Sequence, residues 1–294
     1  MTGLIRRGTK AALVAGLYAL GHGCRIGGVP IFCYHSIDDS GSLLSVSPSM
    51  FRRQMAYLKE RGYRTMALGR LCQDLEDNRP LPRKTVVLTF DDGYRNNYEQ
   101  VMPILQEFGF TGTVFVVTGH VGGRMDWNKT PGVPDLQMAS WEELRAMADA
   151  GLDIQAHTKT HPNLCRLTPE AAREEIGDSK EELENRLGKP VTLFAYPYGE
   201  HNSRIEQIVE RLGFLGAVTA IVGRTHPGDG PQQLKRVNVT EISRVGDATR
   251  MLFFKCCAMG TSSWYSGMKQ WLPMLVRPHR PWENAATEGA GDAK

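Results

Sequence analysis

Two adjacent carboxylates, Asp91 and Asp92, follow a β-branched apolar run at residues 86–90 and precede Gly93. Buried together they would repel each other, so one of them has to be protonated or neutralised by a cation. If one carboxylate binds a metal ion, the other is free to act as a base. Asp-Asp-Gly is also ordinary turn chemistry after a strand, so the pair alone indicates either a catalytic centre or a simple turn.

Two histidines four residues apart, His157 and His161, follow the apolar stretch 152–156 and precede Pro162. The proline and the strand-like run place them on a strand-to-loop turn, where both imidazoles can still reach one ion. Two imidazoles and one carboxylate form a three-ligand set with open positions, which is typical of a catalytic Zn²⁺, Co²⁺ or Ni²⁺. Alone, such a pair is more often found as surface or capping histidines, but together with the two aspartates it indicates a metal centre.

The same layout, a strand-like run that ends in reactive or aromatic side chains, occurs twice more. Residues 29–35 end at His35, and residues 191–199 end in a Tyr-Pro-Tyr-Gly sequence that includes Tyr198. In a parallel (β/α) barrel functional residues collect at the carboxyl ends of the strands, so the four segments are expected to converge on one mouth. Taken singly, His35 is typical of a structural histidine and the tyrosines of an aromatic turn. The expected convergence of the four segments at one mouth indicates a functional site, and no single residue does so alone.

These motifs resemble those of the polysaccharide deacetylases of carbohydrate esterase family four, the group that shares the NodB-homology domain. The first family motif, T-F-D-D-G, is intact at residues 89–93, and it implies Asp91 as general base and Asp92 as metal ligand. The second, H-[ST]-x-x-H, is intact and implies His157 and His161 as metal ligands. The resemblance implies a divalent metal cofactor, with Zn²⁺ expected first and Co²⁺ or Ni²⁺ as alternatives.

The third family motif, R-x-P-Y, is incomplete, because Ala195 stands where the arginine that orients the base is expected. Either another residue holds Asp91, or the pKa of Asp91 and the activity differ from the family norm. The resemblance also implies that the backbone N–H of Tyr198 helps to hold a developing oxyanion. Asp126 and Trp127 loosely resemble the fourth motif, in which the aromatic lines the substrate pocket and the acid can orient the catalytic histidine.

The fifth motif, a late L-x-H that supplies the general acid, has no clear counterpart after Tyr198. In some relatives, notably the poly-N-acetylglucosamine deacetylases, an N-terminal Y-H-x-[IV] segment delivers this histidine instead. Residues 34–37 fit that pattern. We therefore expect His35 to be the general acid, with a structural role as the alternative. The resemblance covers about residues 29–239.

Strand-like runs alternate with helical patterns along the chain, which favours a mostly parallel sheet or barrel. Two helix starts are readable, at Ser47-Pro48 and at Thr168-Pro169. Together with the resemblance, this alternation gives the fold class as α/β, a distorted (β/α) barrel of about seven parallel strands. A chain of 294 residues with 41% hydrophobic content is sufficient for one such domain.

The expected function is metal-dependent hydrolysis that removes N-acetyl groups from amino sugars of a polysaccharide or a lipid-linked glycan. One alternative is a deformylase or another C–N amide hydrolase on the same scaffold. A second is a non-catalytic carbohydrate-binding relative, which only the missing arginine suggests. The intact set of Asp91, Asp92, His157 and His161 argues against this second alternative.

We expect four regions in the chain. Residues 1–28 form an amphipathic or signal-like segment, because basic residues precede a short apolar stretch. Residues 29–245 form the deacetylase-like domain. Residues 246–280 form a Met- and Trp-bearing helical region that either packs on the barrel or contacts a membrane surface, and residues 281–294 form a disordered tail.

The charge balance restricts the partners. With 35 basic and 32 acidic residues the formal charge is +3, and no basic stripe interleaved with aromatics is present, so nucleic acid is not an expected partner. The expected partner is an N-acetylated glycan, with peripheral membrane contact as a further expectation. Six cysteines without disulfide or metal spacing favour a reducing compartment. We expect a cytoplasmic or membrane-associated location, with export as the alternative.

Overall fold

The computed structural model describes residues 27–127, 134–242 and 247–260. The strands of this part are β1 (Ile31–Tyr34), β2 (Ser36–Ile37), β3 (Ser45–Val46), β4 (Arg64–Thr65), β5 (Thr85–Phe90), β6 (Thr113–Val116), β7 (Asp153–Ala156), β8 (Leu193–Ala195), β9 (Gly216–Val222) and β10 (Leu234–Asn238). Seven of them, β1 and β5 to β10, form a parallel ring that closes because β1 pairs with both β5 and β10. The ring confirms the predicted α/β class and the (β/α) barrel of about seven parallel strands.

Helices surround the barrel. They are α1 (Pro48–Glu60), α2 (Leu68–Glu76), α3 (Met102–Phe108), α4 (Trp141–Asp149), α5 (Pro169–Leu187), α6 (Ser203–Arg211) and α7 (Asp247–Met259). The hydroxyls of Ser47 and Thr168 accept hydrogen bonds from backbone N–H groups in the first turns of α1 and α5, and each helix begins with a proline. Both predicted helix starts are therefore confirmed.

The inside of the barrel is apolar at one end and polar at the other. At the amino-terminal ends of the strands, inward-facing residues such as Ile31, Val87 and Leu234 pack against α2, whose Leu68 and Leu71 belong to the same buried cluster. This packing closes the bottom of the barrel. Because side chains alternate along a strand, the next inward positions towards the carboxyl ends hold polar groups. The open mouth therefore lies at the carboxyl ends, where the candidate residues were expected.

The last described helix, α7, packs on the outside of the barrel, where Phe254 stacks on Phe32 with 4.6 Å between ring centroids. Near its end, Arg224 donates hydrogen bonds to the carbonyls of Gly27, Gly28 and Cys257 at 3.1, 2.6 and 2.6 Å. The guanidinium thus ties the start of the described domain to the end of α7 at the bottom of the barrel.

The predictions for the N-terminal segment before residue 27, for residues 261–280 and for the tail at 281–294 lie outside the described residues. Within the described ranges, none of the helices combines the length and the apolar character that a membrane span requires.

Candidate active site

The backbone of the mouth is held in an uncommon conformation. Asp92, Thr158, His161 and Tyr198 have left-handed φ angles of 76°, 66°, 60° and 59°. Residues of this kind cost about 1–3 kcal/mol each and cluster at functional sites. They lie in the turns after β5, β7 and β8, where the left-handed conformation bends the chain sharply at the end of each strand.

The three predicted metal ligands come together. Asp92 Oδ1 lies 3.5 Å from His157 Nε2 and 3.6 Å from His161 Nε2, and all three side chains are buried. Around a tetrahedral Zn²⁺ with bonds of about 2.0–2.2 Å, nitrogen and oxygen ligands lie about 3.4 Å apart. The observed separations fit one ion held by Asp92, His157 and His161, with the remaining coordination left to water or substrate.

Neighbouring groups fix the protonation states of this set. The Nδ1–H of His157 donates to the carbonyl of Ala195 at 2.7 Å, which leaves Nε2 facing Asp92. Burial lowers the pKa of His157, but the hydrogen bond to Asp92 and the charges of Asp91 and Asp92 together outweigh burial and raise that pKa overall. Burial and the charge of His157 lower the pKa of His161 to about 3, so its imidazole is neutral. Burial raises the pKa of Asp92 and its hydrogen bond with His157 lowers it, and the net shift is downward.

Thr158 explains why the motif has a hydroxyl between the two histidines. Its Oγ1 donates to the carbonyl of His157 at 2.5 Å and accepts from the backbone N–H of His161 at 3.0 Å. A β-branched residue with positive φ is unusual. The two hydrogen bonds hold that turn and fix the distance between both ligands.

Asp91 is held by a residue that the sequence reasoning missed. Arg236 on β10 donates from its two terminal nitrogens to Oδ1 and Oδ2 of Asp91, each at 2.7 Å, and all of these atoms are buried. Burial raises the pKa of Asp91, but the charge and hydrogen bonds of Arg236, together with the charges of His157 and His35, outweigh burial, so the pKa lies below its usual range. The carboxylate of Asp91 is therefore anionic and oriented, although Ala195 stands where the arginine was expected. Of the two alternatives left open by the sequence, the structure shows the first.

Arg236 is itself fully anchored inside the barrel. Its Nε donates to the carbonyl of Thr219 at 2.8 Å, and one terminal nitrogen also contacts Thr89 Oγ1 at 3.3 Å. The pairing register of β9 with β10 shifts between Leu234 and Arg236, an irregularity that re-aims side chains near active sites. A charged residue at an inward position of an apolar strand was the signal that could have identified it.

His35 lies beside the base. A ring nitrogen of His35, a carboxylate oxygen of Asp91 and the Cys33 sulfur all lie within 4.8 Å of one another. The carbonyl of His35 accepts a hydrogen bond from the Asn97 side chain at 3.1 Å, and the backbone N–H of Ile37 donates to Asn96 at 3.2 Å. Residues after β5 thus fix the loop that carries His35, in a position suited to the predicted proton donor.

Two aromatic rings flank His161. Trp127 stacks on it with 4.9 Å between centroids, and Tyr198 meets it edge-on at 4.7 Å. The Nδ1 of His161 is buried without a hydrogen-bond partner among the described residues, so these two rings, and not a hydrogen-bond acceptor, restrain the imidazole. The turn that positions Tyr198 needs Gly199, because a Cβ there would lie 2.2 Å from the Cβ of Ala220.

Asp126 does not take the place that the fourth motif implies. Its carboxylate is 71% exposed and lies 3.5 Å from His120 Nε2, so its histidine neighbour is His120 and not His35. The ring of His120 in turn contacts Trp127 edge-on at 4.9 Å. The implied orientation of the catalytic histidine by Asp126 is therefore not seen, because the acid projects from the outer rim of the mouth.

Comparisons with known proteins agree with this geometry. The family model described as polysaccharide deacetylase matches residues 78–217. YxkH of Bacillus subtilis (strain 168), provisionally named as a polysaccharide deacetylase, is 31% identical over 212 residues, which are 72% of this chain and 71% of that protein. The poly-beta-1,6-N-acetyl-D-glucosamine N-deacetylase of Escherichia coli (strain K12) is 27% identical in an alignment of length 222 that covers 62% of this chain. The chain spans only 32% of the length of that enzyme.

A solved structure shows the same fold. The Streptococcus pyogenes deacetylase PplD in complex with acetate is 28% identical, with a TM-score of 0.64, and the match covers 72% of this chain and 92% of that one. The barrel, the motifs at its mouth and these relatives agree, and the chain belongs to the polysaccharide deacetylase family.

Proposed function

We propose that the protein removes N-acetyl groups from amino sugars of a polysaccharide by metal-dependent hydrolysis. The observation that carries the proposal is an anionic base, Asp91, held by Arg236 directly beside the three-ligand set of Asp92, His157 and His161. The relatives support the substrate class, because one of them is named for deacetylation of poly-beta-1,6-N-acetyl-D-glucosamine.

The residues divide the work between a base and an acid. A bound Zn²⁺, Co²⁺ or Ni²⁺ would polarise the acetamide carbonyl and lower the pKa of water. Asp91 accepts a proton from the attacking water, and Arg236 keeps the carboxylate aimed while it does so. The backbone N–H of Tyr198 stabilises the developing oxyanion. His35 donates a proton to the departing nitrogen as the C–N bond breaks, which gives acetate and an amine.

The rim suits a sugar ring. Trp127 and Tyr198 lie on two sides of His161. An aromatic face can pack against the apolar face of a sugar ring, and the polar groups of the sugar then remain accessible at the edge of its ring. We infer that these two residues orient the N-acetylated ring, so that its acetyl group points down towards Asp91.

The test is acetate release from β-1,6-linked N-acetylglucosamine oligomers by chelated protein, before and after reconstitution with Zn²⁺, Co²⁺ or Ni²⁺. We expect release only after reconstitution. The matched control is Asp91→Asn, which keeps the ligand set and should bind metal without releasing acetate. An N-formylated oligomer tests the deformylase alternative, because formate release without acetate release would favour it. Glycan binding without release of either acid, with metal bound, would contradict the proposal in favour of a binding protein.

A further inference from the structure

A buried thiol lies under the two catalytic groups and has no part in the mechanism above. Cys33 lies on β1, and His35 follows directly after the end of that strand. The Sγ of Cys33 lies 3.5 Å from Asp91 Oδ2. The sulfur, a ring nitrogen of His35 and a carboxylate oxygen of Asp91 all lie within 4.8 Å of one another.

We propose that Cys33, His35 and Asp91 form a second metal site for a thiophilic divalent cation, such as Zn²⁺ or Cd²⁺ in excess, and that a cation bound there inhibits the enzyme. The inhibition rests on the proposed function, whereas the binding does not. Sulfur, imidazole nitrogen and carboxylate oxygen are the donors that such cations prefer. This set is separate from Asp92, His157 and His161.

The geometry fits such an ion. A tetrahedral Zn²⁺ with a sulfur bond of about 2.3 Å and an oxygen bond of about 2.1 Å places those two donors about 3.6 Å apart. The Cys33 sulfur and Asp91 Oδ2 are already 3.5 Å apart. The ring of His35 also offers a buried nitrogen, Nδ1, that has no hydrogen-bond partner among the described residues.

The charges predict when the site fills. The Arg236 guanidinium binds both oxygens of Asp91 and repels a cation, as does an ion at the Asp92 site. Binding releases the thiol proton of Cys33 to solvent, and the resulting thiolate offsets part of that repulsion. We therefore expect the second ion only when metal is in excess over one equivalent. Once bound, it occupies Asp91 and His35 together, so neither can transfer a proton.

The experiment is a Cd²⁺ titration of the full chain, followed by the ultraviolet charge-transfer absorption of a cadmium thiolate. For the wild type we expect two bound Cd²⁺ ions, with the absorption growing only with the second. Cys33→Ala and Cys33→Ser should bind one ion and show no absorption. Cys72→Ala is the matched control, because Cys72 is equally buried but lies on α2 at the bottom of the barrel, and it should behave as the wild type. Circular dichroism establishes that each variant is folded.

The second measurement is inhibition by excess Zn²⁺ or Cd²⁺, with each protein compared with its own rate at one equivalent of metal. Loss of Cys33, a direct ligand, should raise the inhibitory metal concentration about tenfold or more. Loss of a group that only contacts a metal ligand already weakens metal affinity by about that factor. A wild-type protein that binds one Cd²⁺ only, or a Cys33 variant that keeps the second ion and its absorption, would overturn the site. Two bound ions in a protein without deacetylase activity would refute the proposed function and leave the site established.

Discussion

Arg236 reaches Asp91 across an intervening strand. Asp91 follows β5 and Arg236 lies on β10, with β1 between them, yet the guanidinium donates to both carboxylate oxygens at 2.7 Å. The contact passes through the interior of the barrel, so the orientation of the base depends on ring closure by β1. In a chain with Ala195 in the third motif, Arg236 does what the arginine of that motif was expected to do.

Replacement of Arg236 should therefore impair catalysis and shift its pH dependence. Arg236→Gln removes the largest cause that lowers the pKa of Asp91, so this pKa rises and the acid limb of the pH–rate profile moves to higher pH. We expect turnover to fall about 10²-fold or more, the scale of general-base effects. Arg236→Lys should be intermediate, since an ammonium cannot bind both oxygens in the same way.

The control for Arg236→Gln is Arg224→Gln, which removes a partly buried arginine at the bottom of the barrel. Both variants should lose stability, with about 3–5 kcal/mol expected for the broken pair with Asp91. Only Arg236→Gln should move the acid limb. An acid limb in the same place for both would contradict the role of Arg236 in tuning the base.

Asp91→Asn and His157→Ala should separate catalysis from metal binding. Asp91→Asn removes the base but no ligand, so we expect metal content near the wild type after dialysis and turnover lower by about 10²-fold or more. His157→Ala should lose both. Because metal binds the folded state only, chelation should lower the melting temperature of the wild type and of Asp91→Asn but not of His157→Ala. Full activity and metal content in His157→Ala would refute the ligand assignment.

Metal affinity should weaken as the pH falls. The raised pKa of His157 means that a proton occupies Nε2 below that pKa, and the ion has to displace it. We expect the Kd to rise about tenfold per pH unit once His157 is protonated, with no contribution from His161, whose pKa is about 3. Calorimetry in buffers with different ionisation enthalpies measures the released proton. A Kd that does not change with pH would exclude this competition.

Thr158→Val should loosen the ligand turn. Valine keeps the β-branch but loses the hydroxyl that bonds the backbone of His157 and His161. Unpaired buried backbone groups cost about 1–3 kcal/mol, so we expect lower stability in urea unfolding and weaker metal affinity in competition with a chromophoric chelator. Thr158→Ser, which keeps the hydroxyl, should retain both. Equal losses in the two variants would indicate that the methyl group, and not the hydroxyl, is what matters.

Trp127→Ala should weaken metal binding although Trp127 is not a ligand. Its ring stacks on His161, whose Nδ1 has no hydrogen-bond acceptor among the described residues. We expect about tenfold weaker metal affinity, as when a group that contacts a metal ligand is lost, and a smaller effect in Trp127→Phe. If KM for the glycan rises while metal affinity stays at the wild-type value, Trp127 lines the pocket without restraining His161.

The part of the site that the sequence predicts is the part encoded within single turns. Asp91 and Asp92 are adjacent, and the two histidine ligands are four residues apart, so the local backbone sets their separation. The strand ends that carry them could be predicted to converge because parallel strands of a barrel all end at one face. The alternation of apolar runs predicted a mostly parallel sheet or barrel, the family resemblance added the number of about seven strands, and the Ser-Pro and Thr-Pro pairs predicted two helix starts.

The contacts of Arg236 and Asp126 could not be predicted from the sequence. Arg236 is 145 residues from Asp91, and its aim depends on strand order and on a register shift between β9 and β10. Neither is encoded in a local pattern. The neighbour of Asp126 is decided by the path of an exposed loop, in which small differences in backbone direction select His120 instead of His35.

The hydrogen bonds of Arg224 to Gly27, Gly28 and Cys257 have a consequence for how a long polysaccharide can reach the site. The chain enters and leaves the described domain at one point, on the side opposite the mouth. A long glycan that lies across the mouth therefore does not contact the first or the last residues of the described domain. Residues 27 and 260, where the described domain begins and ends, therefore lie on the far side of the barrel from Asp91 and Asp92, which leaves the whole rim of the mouth to the substrate and to the loops that follow the strands.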